Sequence, residues 1–253
     1  MELYRLTLAS ILSRKTFAIF AILLLTLPFV LPYMTPWESK PSLLQPARAQ
    51  MAWMLLWTSA IGWLLFQGAT IGDRWSSHGI LEYFKTLGVS RWGQMAQLWL
   101  SCFTVFAGMV LITLAISTLT AMPGDPVEAR HWVVTNLQYA LLFLLVVAPL
   151  LALSISLGTR FNGAAAYAVT IGLALYGLFG ISYLEIFLAD NSNPVLNLLF
   201  LLSPHYHLSD LTSRLVFKLG ALPMAELGRI TAYLGGLALA VTGFSYQLFR
   251  EGK

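Results

Sequence analysis

Asp73-Arg74-Trp75-Ser76-Ser77-His78-Gly79-Ile80-Leu81-Glu82-Tyr83-Phe84-Lys85-Thr86-Leu87-Gly88-Val89-Ser90-Arg91-Trp92 is a charged, helix-sized island between two stretches, 49–72 and 92–124, that contain no Asp, Glu, Lys or Arg apart from Arg48 just outside the first. Those flanks decide the fold class. The chain has 253 residues, 58% apolar and 10% charged, with mean hydropathy +0.73. A soluble domain carries about 25% charged residues. Six segments, 17–34, 51–71, 94–121, 133–157, 164–188 and 230–249, come near or exceed the roughly 20 apolar residues that a helix needs to cross a bilayer. They are continuous, whereas β-barrel strands would alternate in polarity. The expectation is an all-α membrane protein: a single domain over 1–253 with six transmembrane helices.

With six spans both termini share one side. That side would hold Arg5, Arg14, Lys15, Arg74, Lys85, Arg91, Arg160, Arg250 and Lys253, nine of the fifteen basic residues. Positive residues favour the cytoplasm, so both termini and the 73–92 island are expected there. The pI near 9.3 then reflects positive-inside charge and contact with the lipid bilayer rather than nucleic-acid binding. The single cysteine, Cys102, lies inside a span and excludes a disulfide framework. Ala47-Arg48-Ala49 has the form of a signal-peptide cleavage site, but it lies some twenty residues past the apolar run and beyond four prolines. The first span is expected to be retained.

Residues 1–16 read as an imperfect amphipathic helix suited to the membrane surface. Pro28, Pro32 and Pro36 are expected to kink or end the first span, with Tyr33, Trp37 and Trp53 in an interfacial belt and 38–50 as an external loop. In the fifth and sixth spans Ala164, Ala168 and Gly172, and Ala232, Gly236 and Ala240, form small-residue stripes, read as tight packing within one bundle in preference to a homodimer face. In 191–227 the apolar run is too short to cross, so two short helices that dip into or lie on the outer leaflet are expected.

Within the island, Ser76 or Ser77 is placed to cap a helix. Ile80, Phe84 and Leu87 then share one face with Leu81 alongside, Glu82 and Lys85 pair on another, and Gly88 ends the helix in a left-handed cap. Gly88 and Gly93 have the spacing of a phosphate-binding loop, but Gln94-Met95 replace its Lys-Ser/Thr. Energy must therefore come from a partner or a gradient. His205, His207 and Asp210 are residue types that ligate metals, but no third firm ligand is visible, and a polar outer turn is the preferred reading. No Ser–His pair, buried aspartate pair or H-E-x-x-H helix supports intramembrane proteolysis. Glu185, the only acid within a span, lies near its outer end, where snorkelling explains it.

These features resemble the membrane subunit of type-2 ATP-binding-cassette exporters over the whole chain. The resemblance rests on the N-terminal helix, the six spans, and Asp73-Arg74, Gly79, Leu81-Glu82 and Gly88-Val89-Ser90-Arg91 after the second span. Leu201-Leu202-Ser203-Pro204-His205-Tyr206 and the terminal Phe249-Arg250 resemble a branch that includes nitrous-oxide-reductase-maturation permeases. Two departures stand out: Asp73 where the family has Glu, and Gly93-Gln94 in place of Gly-Lys at the third-span entry. The resemblance implies a permease coupled to a separate cytoplasmic ATPase that carries the ATP and Mg, with a second permease copy or a paralogue, in a bacterial inner membrane. The chain itself would be no enzyme and hold no cofactor. A coupling helix over 77–87 would seat its Phe84 face in a groove of the ATPase. Asp73, Arg74, Ile80, Glu82, Lys85, Leu87 and Arg91 would complete the coupling set. The 191–227 hairpins would form an outer gate, with Glu185, Pro204, His205, His207 and Asp210 as its candidate residues. The competing expectation is a membrane scaffold that recruits a soluble protein through the same loop without transport. The sequence does not specify a substrate.

Overall fold

A computed structural model describes residues 1–34, 41–190 and 193–252. Among them all regular structure is helical. In chain order the α-helices are α1 (Glu2–Leu12), α2 (Lys15–Met34), α3 (Pro41–Thr58), α4 (Leu65–Ser77), α5 (Ile80–Thr86), α6 (Arg91–Ala115), α7 (Pro126–Gly158), α8 (Gly163–Leu175), α9 (Ile181–Asp190), α10 (Pro194–Leu202), α11 (Thr212–Val216) and α12 (Met224–Leu248). Six helices are long and apolar enough to cross a membrane: Lys15–Met34, Leu44–Ser77, Arg91–Thr120, Pro126–Gly158, Gly163–Leu188 and Met224–Leu248. Three of them pass through a π-helical turn, at Ser59–Leu64, Ile116–Thr120 and Tyr176–Gly180.

The fourth span is the axis of the bundle. Asp125 caps it by accepting from the Val127 and Glu128 N–H groups at 2.9 and 3.0 Å, and Pro126 occupies the first helical position, where no amide bond is lost. Its 33 residues extend about 50 Å at 1.5 Å per residue. Its most apolar window is 78% buried, against 6% for α12. The bundle is therefore built around α7, while α12 presents most of its surface outward.

Tight packing falls on the second span. A Cβ on Gly72 would overlap the carbonyl of Ile155, and one on Gly158 the carbonyl of Ala69. Bare backbones meet there, which is how spans associate where no hydrophobic drive exists between them. The stripes expected to do this do not. Ala164, Ala168, Gly172, Ala232, Gly236 and Ala240 all keep accessible surface, and nothing lies within 4 Å of a Cβ placed on Gly172 or Gly236.

Other expectations change as well. α2 continues through Pro28 and Pro32 to Met34, while Pro36 and Trp37 lie outside the described residues. The region read as an external loop, 38–50, is helical from Pro41 onward. Trp53 is fully buried rather than interfacial: its ring stacks on Tyr139 at 4.0 Å and 14°, and its Nε1 donates to Asn136 at 2.9 Å. The apolar stripe of α1 (Leu3, Ile11) is buried, and the helix packs on the third span. There the Tyr4 amide donates to Gln97 Oε1 at 3.3 Å and Ser101 Oγ donates to the Tyr4 carbonyl at 3.0 Å. Its partner is thus protein along one face, with Leu6 and Leu12 exposed along the other. The segment from 193 to 223 holds α10, a 3-10 turn at Tyr206–Ser209 and α11, close to the two short helices expected; 191–192 lie outside the described residues.

Candidate coupling face and the polar network at the opposite end

The island folds as an elbow between the second and third spans. α4 runs to Ser77, nearly two turns beyond the apolar pattern, and the chain turns through His78 and Gly79. Gly79 takes φ 69° and Gly88 φ 81°, the left-handed region that a side chain disfavours. The second of these closes α5 as a Schellman motif: the Gly88 amide donates to Lys85 at 2.9 Å and the Val89 amide to Phe84 at 3.0 Å. Ser90 then caps α6 by accepting from the Gly93 amide at 3.2 Å. Neither expected N-cap serine serves α5. Ser76 Oγ donates to the Thr159 carbonyl at 3.3 Å and Ser77 Oγ to Asp73 Oδ1 at 3.1 Å. The two residues after Ser77 are spent on the turn, so α5 starts at Ile80.

The expected apolar face divides. Leu81 is fully buried and Phe84 8% exposed within the chain's own core, with Ile80 partly buried against it. Phe84 therefore points into the bundle, not toward a partner. The outward edge carries Glu82, Tyr83, Lys85, Thr86 and Leu87, with Tyr83 and Leu87 61% and 59% exposed.

The expected charged residues are largely committed within the chain. Asp73 Oδ2 accepts from the Gly163 amide at 2.8 Å, a carboxylate at the positive N-terminus of the fifth span. Arg91 donates to the carbonyls of Tyr246 and Gln247 at 2.7 and 3.0 Å, with its guanidinium 4.9 Å from the Tyr246 ring centre. Lys85 pairs with Glu251 at 2.8 Å rather than with Glu82, and that partner raises the ammonium above its ordinary value. Arg74 is exposed on the rim of a pocket.

The C-terminal strap was not anticipated. Arg160 donates to the Leu248 carbonyl and, at 3.0 Å, to that of Gln247. The Arg250 amide donates to Thr159 Oγ1 at 2.9 Å, and Phe249 is fully buried. Two arginines, Arg91 and Arg160, thus satisfy the orphan carbonyls that end α12 and place positive charge at its negative pole. The tail then reaches α5 through Glu251. The signals were the isolated Arg160 in a short turn and an aromatic residue just past the last span.

On the opposite end of the bundle the expected gate residues are only partly gathered. Tyr139, on α7, is the hub: its hydroxyl donates to Asp210 Oδ1 at 2.7 Å, accepts from Trp57 Nε1 at 2.9 Å, and lies 2.9 Å from Thr212 Oγ1. Gln138, one residue earlier, exchanges two bonds with Leu222, at 3.0 and 2.7 Å. His205 Nε2 lies 3.0 Å from the Phe200 carbonyl. Pro204 and His207 are partly buried and Glu185 is exposed. Burial, and next the nearby His205, lower the His207 pKa, while Glu185 opposes the shift. His207, Asp210 and Thr212 border a cleft of about 660 Å³ whose other walls include Trp57, Ile61, Leu178 and Phe179. Two π-helical turns line it, a local geometry frequent at functional sites. Among the described residues no three His, Cys, Asp or Glu side chains gather as a metal-holding group. Tyr139, Trp57 and Gln138 were missed because aromatic and amide residues inside an apolar run carry no spacing signal.

No protein-family model matches the chain, and comparison with curated proteins finds no match.

Proposed function

We propose that this protein is the membrane subunit of an ATP-driven transporter of the type-2 exporter kind, coupled through α5 to a separate ATPase that supplies ATP and Mg. In this reading both termini lie in the cytoplasm of a bacterial inner membrane, and a second copy or a paralogue completes the pathway. One observation carries the reading: α5 joins the second and third spans, plugs into the bundle through Leu81 and Phe84, and leaves Tyr83, Thr86 and Leu87 exposed, flanked by Glu82 and Lys85, which stay exposed although the C-terminal tail reaches them. A lever needs such an arrangement, rigid toward the spans and open toward what pushes it. Exposed aromatic and aliphatic residues ringed by charge also match the composition of a docking patch.

The 660 Å³ cleft at the other end has a size usual for ligand sites and would be part of the pathway or its outer gate. The reading is tested by co-expressing the chain with an ATPase encoded beside it. The Tyr83→Ala/Leu87→Asp variant is expected to lose co-purification and ATPase stimulation while its thermal midpoint holds. Undiminished association and stimulation would overturn the assignment of α5. Association without any ATP-dependent transport would favour the scaffold.

A further inference from the structure

The turn after α1 and the elbow after α4 flank an open, shallow pocket of about 380 Å³ lined by Ser10, Arg14, Arg74, Trp75, His78 and Ile80. Its charge is one-sided. One guanidinium nitrogen of Arg14 donates to the buried Gln67. Among the described residues the ion pairs are Lys85–Glu251 and Lys218–Glu128, so neither pocket arginine belongs to one. The nearest acid in sequence, Asp73, directs its oxygens to Gly163 and Ser77. His78 uses Nδ1 on the Arg74 carbonyl at 2.7 Å. Burial, and then the like charge of Arg74, lower the Arg14 pKa, the electrostatic sign of two cations facing one space.

An anion would relieve this. Guanidinium forks match phosphate oxygens in pairs, and the Ser10 hydroxyl adds a further donor; His78, whose Nδ1–H is spent on the Arg74 carbonyl, donates to an anion through Nε2 only as the imidazolium. The position favours a lipid as the source. Ser10 and Arg14 stand where α1 turns into the first apolar span, and Arg74 stands where the second ends. Trp75 and Ile80 supply an apolar wall beside the basic groups. Basic pockets between spans at headgroup level take anionic lipid heads.

We propose that the Arg14–Arg74–His78 pocket holds the phosphate of an anionic phospholipid headgroup. The lipid would bridge α1, the end of the second span and the first residue of α5, so that its occupancy stiffens the elbow. The site needs no ATPase, so its failure leaves the coupling reading standing, and the reverse also holds.

The test uses the full chain, purified and delipidated in neutral detergent. Phosphatidylglycerol, phosphatidylcholine or inorganic phosphate is added while the thermal midpoint is followed, and native mass spectrometry counts retained lipids. Phosphatidylglycerol is expected to raise the midpoint and stay bound, and phosphatidylcholine to do neither at equal concentration. Arg74→Gln, a change at an exposed side chain, is expected to weaken the phosphatidylglycerol effect roughly fivefold and Arg14→Gln/Arg74→Gln roughly 25-fold. Arg130→Gln, elsewhere on the surface, leaves it unchanged. Equal response to both lipids, or an unaltered response in Arg74→Gln, overturns the site. Equal protection by millimolar inorganic phosphate overturns its assignment to lipid.

Discussion

Replacing Arg160 by Gln removes one of the ties that hold α12 to the rest of the elbow, with consequences that reach α5. Arg160 donates to the Leu248 and Gln247 carbonyls, and the tail beyond reaches Lys85 through Glu251. The same end of α12 is also held by Arg91, by the Arg250 amide on Thr159 and by the buried Phe249, so Arg160 is one of several ties rather than the whole clamp. Hydrogen bonds from a charged donor contribute about 1.5–3 kcal/mol when sheltered. Arg160 is partly exposed and Arg91 still holds the Tyr246 and Gln247 carbonyls, so a loss of about 1–2 kcal/mol is expected after that discount. Local opening then becomes roughly 5- to 30-fold more frequent. Amide hydrogen exchange, read by mass spectrometry on peptides covering 243–252 and 80–89, should quicken by that factor in both, because Glu251 links them. Peptides in the middle of α7 should not change. Faster exchange at 243–252 with none at 80–89 would refute the strap as a link to α5, and no change in either would refute the Arg160 tie itself.

Phe84→Ala should destabilise the purified protein by about 3 kcal/mol or somewhat less at this peripheral site, seen as a lower thermal midpoint, whereas Tyr83→Ala should leave it within about 0.5 kcal/mol. Gly72→Ala forces apart the second and fourth spans and should cost at least about 1–3 kcal/mol, with lowered yield of folded protein as the readout. Tyr139→Phe leaves Asp210 and Trp57 without their shared hydroxyl and should cost about 1–3 kcal/mol; a midpoint equal to wild type would show that the Tyr139 network contributes nothing to stability. The lowered pKa of His207 fixes a sign: its neutral form is favoured by folding, so stability is lost as pH falls from above 6.5 toward the depressed value. The midpoint should therefore drop less on acidification in His207→Gln than in wild type.

The spans were legible because membrane-crossing helices announce themselves by length and composition. The expected 164–188 agrees with Gly163–Leu188 to one residue, and 133–157 with Pro126–Gly158 apart from about two polar turns at its start. Gly88 was legible as a helix end because only its backbone was at issue. What escaped depends on contacts remote in sequence. Phe84 lies on the apolar side of α5 whether it meets a partner or its own bundle, and only the fold distinguishes the two. Lys85 had Glu82 three residues away and takes Glu251 instead, since a tail clamped by two arginines arrives closer. By residue type alone, Gly72 and Gly158 are indistinguishable from the small residues of the fifth and sixth spans. The backbone carbonyls of Ile155 and Ala69 decide which of them mark crossings.

The central claim is that the outward edge of α5 touches an ATPase. A photo-reactive phenylalanine analogue placed at Tyr83, in membranes where the chain and its neighbouring ATPase are co-expressed, measures this directly. An analogue at Tyr183, 75% exposed at the other end of the bundle, is the control. The account predicts an ATPase adduct from position 83 and none from 183. Absence of the adduct at 83 while ATP-dependent activity persists, or equal adducts from both positions, would contradict it.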